Sequence, residues 1–166
     1  MPMNHEKLAL FESIKSTFLH IDAQEKSMLL EYNLSLPRFY VLLHVHNHPG
    51  INQMELTTLM LCTKGNITRI LQGLQADGLI ERMADPSDGR NSLVKLTKSG
   101  QALLYKVYQN YEHLVDELMG RFNSEEIRQY NKVVRTIQNT LKPQTLKEPT
   151  DTFKPVLVLR AQGEEN

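Results

Sequence analysis

Between Gly50 and Gly100 the chain reads helix, turn, helix, strand, polar loop, strand, and that order leaves few folds open. Asn52-Gln53-Met54-Glu55 has the spacing of a capping box, with Asn in place of Ser or Thr. The helix it opens is expected to run through Leu61. Thr63 caps the next helix, which reaches Asp77 and ends at Gly78 as its C′ residue. Leu79 to Met83 and Leu93 to Thr97 read as two strands around the loop Asp85-Pro86-Ser87-Asp88-Gly89-Arg90-Asn91-Ser92. Asp88-Gly89 at its centre is a hairpin turn signal. A helix-turn-helix followed by a two-stranded wing is a device for placing one helix in the DNA major groove, with a second contact beside it. The order predicts a regulator of transcription and not an enzyme.

Long amphipathic helices flank this unit. Phe11, Ile14, Phe18, Ile21, Glu25 and Met28 follow steps of three and four, which predicts a helix over about 5–31 with Glu25 as the polar exception. A second helix starts at the N-cap Ser35, carries Pro37 in its first turn, and stops at Pro49-Gly50. After the wing, Leu104, Val107, Tyr108, Tyr111, Leu114, Val115 and Leu118 mark a helix from Thr97 or Ser99 to about Met119. Ser124 is expected to cap the last helix, whose apolar positions are Ile127, Tyr130, Val134, Ile137 and Leu141. After Pro143 the pattern collapses, and residues 142–166 read as an extended tail holding the strand-like patch Val156-Leu157-Val158-Leu159.

The predicted fold class is therefore mainly α with a small β-wing. One domain spans 1–141, with a winged helix-turn-helix unit over 33–100 and dimerisation helices over 5–31 and 101–141. The outer helices have more apolar face than a small domain needs, and such helices commonly bury that face against a second copy. A symmetric homodimer would also present two reading helices about one DNA turn apart.

Composition sets the remaining bounds. Apolar residues make up 40% of the 166, ordinary for a globular chain. No stretch approaches a membrane span, and the N-terminus lacks a signal pattern. The single cysteine fits a reducing compartment, so the expected location is cytoplasmic. The formal net charge of zero is low for a nucleic-acid protein. Its distribution is more telling: residues 56–76 contain no carboxylate, although the chain's average would place about two there.

The helix from Lys64 to Ala76 has two faces. Ile67, Ile70, Leu71 and Leu74 should pack on the preceding helix. Opposite lie Gly65, Arg69 and Gln72, flanked by Asn66, Thr68 and Gly73. Arg bridges guanine O6 and N7, Gln and Asn pair bidentately with adenine, and Thr offers a methyl to thymine or a hydroxyl to phosphate. In the wing, Arg90 can reach a minor groove or a phosphate, and Asp88 can hold the hairpin in shape. Lys95 adds a phosphate contact. The candidate DNA-binding set is thus Thr63, Lys64, Asn66, Thr68, Arg69, Gln72, Asp88, Arg90 and Lys95, with double-stranded DNA as partner.

These residues carry a resemblance. Leu36-Pro37-Arg38-Phe39, Pro49-Gly50, Thr63 to Arg69, Gly78-Leu79-Ile80-Glu81-Arg82, Asp85 to Arg90, and Val94-Lys95-Leu96-Thr97 leading to Gly100 resemble the MarR (multiple antibiotic resistance regulator) family of winged-helix regulators. The resemblance implies a homodimer with interleaved terminal helices, a pseudo-palindromic operator, and repression relieved by a small-molecule effector. Lys64-Gly65-Asn66 departs from the Ser/Thr-rich version common in the family, and the tail departs from members that end after the last helix.

Other constellations read more plainly. His44 and His48 sit at i and i+4, a usable metal pair, while His46 points elsewhere; four ligands of structural spacing cannot be assembled, and neither a metal nor a cofactor is expected. Cys62 lies at the turn before the reading helix, the geometry of a thiol switch, but Leu59 and Leu61 beside it suggest an inert, buried cysteine. Tyr40, His44, Tyr108 and Tyr111 lie near the junction where an effector pocket would form, and read as core. Two alternatives stand beside the regulator: a winged-helix protein-interaction module without DNA binding, and a metal- or thiol-responsive sensor using the His44/His48 region or Cys62.

Overall fold

A computed structural model of the protein describes residues 5–84 and 92–141. The chain runs α1 (His5–Leu30), α2 (Leu36–Asn47), α3 (Gln53–Leu59), α4 (Lys64–Ala76), β1 (Ile80–Ala84), β2 (Ser92–Leu96), α5 (Lys98–Met119) and α6 (Ser124–Leu141). The strands form an antiparallel pair in which Ile80 faces Leu96 and Arg82 faces Val94. The Val94 N–H donates to the Ile51 carbonyl at 2.9 Å, so the wing is stitched to the start of the helix-turn-helix. Asp88, Arg90 and the tail over 142–166 lie outside the described residues.

Helix ends show where local chemistry sets the boundaries. Asn52 accepts from the Met54 and Glu55 amides while Glu55 accepts from the Asn52 amide, the reciprocal pattern predicted. The same box recurs at α6, where Asn123, and not Ser124, accepts from the Glu125 and Glu126 amides and Glu126 reaches back. Ser35 stands at the N-cap of α2, but its side chain makes no capping bond. Gly78 ends α4 at φ +69, with its N–H on Gln75 and the Leu79 N–H on Leu74. That is the bond pair of a Schellman motif. Leu61 closes α3 the same way at φ +48, with its N–H on Thr58 and the Cys62 N–H on Thr57. Sequence periodicity runs this helix two residues too far because a leucine seldom occupies the left-handed C′ position. Each strand is also displaced by about a residue from its expected bounds.

One core joins the pieces. Phe39, Leu42 and Leu43 of α2, Leu56 of α3, Ile67, Leu71 and Leu74 of α4, Val94 of β2 and Leu104 of α5 are all fully buried. Arg38 forms an ion pair with Asp77, tying the first turn of α2 to the C-cap of α4. The stripe on α1 is used unevenly. Its C-terminal part is packed, with Leu29 buried and Ile21 and Met28 half-buried, whereas Phe11, Ile14 and Phe18 lie open. The final helix buries no residue at all.

Candidate nucleic-acid interface

The α4 helix is fixed from beneath and from its N-terminus. Ile67, Leu71 and Leu74 are buried and Ile70 is half-buried, as the helical spacing predicts. Thr63 caps the helix, its Oγ1 accepting from the Asn66 amide at 3.3 Å. The Thr68 hydroxyl donates to the Lys64 carbonyl at 2.8 Å and accepts from Gln53 Nε2 at 2.7 Å, a cross-link between α3 and α4. Two residues of the candidate set thus already have internal partners for their hydroxyls. What remains outward is Lys64, Gly65, Asn66, Arg69 and Gln72, all exposed, with Thr68 half-buried beside them. A Cβ at Gly65 or Gly73 would meet nothing within 4 Å, so packing inside the chain does not require either glycine. Gly65 lies on the open face and Gly73 at its half-buried margin.

Lys95 is exposed on β2, directly opposite Glu81 in the ladder, so a carboxylate stands beside that cation. Arg82 is half-buried on β1, and its Nε and one terminal nitrogen are enclosed without an acceptor among the described residues. With Asp88 and Arg90 outside the described residues, the described part of the candidate set is the α4 face plus Lys95.

Helices α1, α2 and α5 meet at a polar centre that periodicity marks only as an interruption. Glu25 on α1 is 7% exposed and accepts from the hydroxyls of Tyr40 on α2 and Tyr111 on α5, both at 3.0 Å. Burial, then the Glu25 charge, pushes the Tyr40 phenol up to about 12. Burial raises Tyr111 as well, with Tyr40 and Glu25 adding to it. Both tyrosines therefore stay protonated and donate to the carboxylate. Tyr108 and Tyr111 are buried and Tyr40 is half-buried, as their reading as core predicts. The signal for Glu25 is a lone acid on an otherwise apolar stripe, but its partners lie 15 and 86 residues away.

The two sensor features have limited chemistry. His44 is 8% exposed and its ring stacks on His48 with centroids 6.3 Å apart. Burial, then His48, lowers its pKa, and its Nδ1 has no partner among the described residues. The pair gathers no third His, Cys, Asp or Glu ligand among the described residues. Cys62 is half-buried against the core, and burial pushes its thiol up, away from the reactive thiolate.

Known proteins share both the sequence pattern and the fold. The MarR family profile matches residues 34–92. The chain is 31% identical over 115 residues to the multiple antibiotic resistance protein MarR of Escherichia coli K12, an alignment covering 66% of this chain and 80% of that protein. It is 29% identical over 107 residues to the transcriptional regulator HosA of Escherichia coli O111:H-, covering 64% and 79%. A crystal structure of a mutant Escherichia coli MarR complexed with operator DNA superposes with a TM-score of 0.72 at 25% identity, over 82% of this chain and 99% of that one. With the winged helix-turn-helix in place and these similarities beside it, the chain belongs to the MarR family.

Proposed function

We propose that the protein is a cytoplasmic, DNA-binding transcriptional regulator that acts as a homodimer on a pseudo-palindromic operator, with repression relieved by a small-molecule effector. The observation that carries this reading is the outward face of α4: Lys64, Asn66, Arg69 and Gln72 on a rigidly seated helix with no carboxylate from residue 56 to 76. The relatives support it, since those similar proteins are transcriptional regulators and one of them is crystallised with operator DNA. In this reading residues 33–100 form the DNA-binding unit, with Arg90 and Asp88 acting from the wing and Lys95 at its base. Helices over 5–31 and 101–141 form the dimer, and the role is regulatory and not catalytic. No described helix is long and apolar enough to cross a membrane.

The test is fluorescence anisotropy with the protein's own upstream intergenic DNA and a scrambled duplex, over a salt series. The wild type should prefer the native fragment and lose affinity steeply with salt. Arg69→Ala should cost about 1–3 kcal/mol and relax preference at one base position. Unchanged binding by that variant would remove Arg69 from the reading surface. No binding to either duplex would favour a protein-interaction module.

A further inference from the structure

The last helix presents two opposite faces, and only one belongs to the dimer reading. At about 100° per residue, Ile127, Tyr130, Val133, Val134, Ile137 and Leu141 fall within an arc of roughly 120°. Arg128, Lys132 and Arg135 fall within roughly 60° on the opposite side, with Asn131, Thr136 and Asn139 around them. All six of these polar residues are exposed. If the apolar arc is buried against a second copy, the cationic arc must point away from it and stay in solvent.

This cationic face has less carboxylate near it than the neutral balance of the whole chain would suggest. From residue 127 to 147 the sequence has no Asp or Glu and holds Arg128, Lys132, Arg135, Lys142 and Lys147. The carboxylate-free span around α4 is of similar length but carries only Lys64 and Arg69. Arg128 pairs with Glu125 at 2.8 Å, while Lys132 and Arg135 have no ion pair among the described residues. Successive cations are about 6 and 4.5 Å apart along the axis, and the face from 128 to 139 is roughly 16 Å long. Duplex DNA offers about one phosphate charge per 1.7 Å of its axis.

We propose that the outward face of α6, through Arg128, Lys132 and Arg135, is a second and sequence-independent contact surface for the phosphate backbone of duplex DNA. Its composition is that of backbone contacts, cations interleaved with Asn and Thr. Protein-binding surfaces are enriched in aromatic residues and methionine as well as arginine, and this face holds neither an aromatic residue nor a methionine. The contact is made to a different stretch of duplex from the one α4 reads. The first turn of α5 lies against Leu79, and α5 then extends its 22 residues, about 33 Å, before α6 begins. The inference rests on the DNA-binding dimer proposed above, and it adds DNA bridging or flank capture to operator reading.

The experiment uses the full chain and a labelled random-sequence 30-bp duplex, titrated at several salt concentrations, with sedimentation to report the dimer. Arg69→Ala, which weakens reading by α4, sets the reference affinity and salt slope on the random duplex. Adding R128Q, K132Q and R135Q should weaken that binding by about tenfold or more. It should also flatten the log–log salt slope by about 2–3, near 0.9 for each phosphate no longer neutralised. R128K with R135K, which keeps the charges, should restore both. Unchanged affinity and slope in the folded, dimeric glutamine variant would overturn the proposal. So would binding of poly-L-glutamate in place of the duplex, which would point to an acidic protein partner. Failure of operator reading is scored separately, by the Arg69→Ala comparison on the native intergenic fragment.

Discussion

His44 illustrates how one side chain can tie stability to pH. It is buried in the core end of α2 beside His48, and burial first, His48 second, holds it below the ordinary histidine range. The unfolded chain, with a histidine pKa of about 6.5, therefore takes up a proton before the folded one does. The contribution is fully present above about pH 6.5 and is lost as the pH falls toward the folded-state value. Urea midpoints should accordingly drop between pH 7.5 and 5.5, and the drop should be smaller in His44→Leu. Part of it will remain, because burial lowers His46 too. An equal drop in both proteins would show that His44 is not the linked group. Glu25 makes the complementary point. Its place on the α1 stripe is legible as an anomaly, yet what it does depends on two tyrosines delivered by other helices.

At the scale of elements, the motif running from Val94 to Gly100 has a physical cause. Thr97 caps α5, accepting from the Gly100 amide at 3.0 Å, and donates to the Gly78 carbonyl at 2.6 Å. That bond draws the first turn of α5 onto the backbone between α4 and β1. A Cβ on Gly100 would collide with the Leu79 carbonyl oxygen and carbon. Gly100→Ala should therefore destabilise by about 1–3 kcal/mol or more, since backbone cannot give way as a side chain can. Chemical denaturation with circular dichroism checks it, and a loss below about 0.5 kcal/mol, the range of an ordinary surface substitution, would mean the turn relaxes freely. The spacing of the motif can be read from the sequence, but the reason for its glycine cannot. The contrast with Leu61 is instructive, because there the fold places a leucine where the local rules favour glycine.

At the scale of the molecule, the described chain leaves many large apolar side chains open on its outer helices. Phe11 is 58% exposed, Phe18 65% and Tyr130 57%. Val115, Leu118, Phe122, Ile127 and Val134 are also exposed, and together these residues lie on α1, the end of α5, the turn after it and α6. Apolar surface on this scale is uncommon on soluble monomers and marks an interface. Phe18→Asp should weaken the dimer by roughly tenfold or more, each 1.4 kcal/mol being a factor of ten. Sedimentation velocity over a dilution series reads the shift, and a dimer of unchanged strength would exclude that part of α1 from the interface. Operator affinity should fall with it, because two linked reading helices bind better than one.

The sequence alone determined the order of elements, the Asn52 and Thr63 caps, the Gly78 stop and the faces of α4. Each of these depends on residues within a turn or two of one another, where propensity and periodicity act. It also determined the family, through a winged unit whose turns and strands follow one another closely. Tertiary structure alone decided that Glu25 is a hub and not a flaw, that Thr68 links to Gln53, and that Arg38 holds Asp77. It also decided that, among the described residues, half of the α1 stripe and most of the apolar face of α6 stay exposed. Those facts concern pairs and surfaces brought together by packing, and packing joins residues whose separation along the chain carries no local signal.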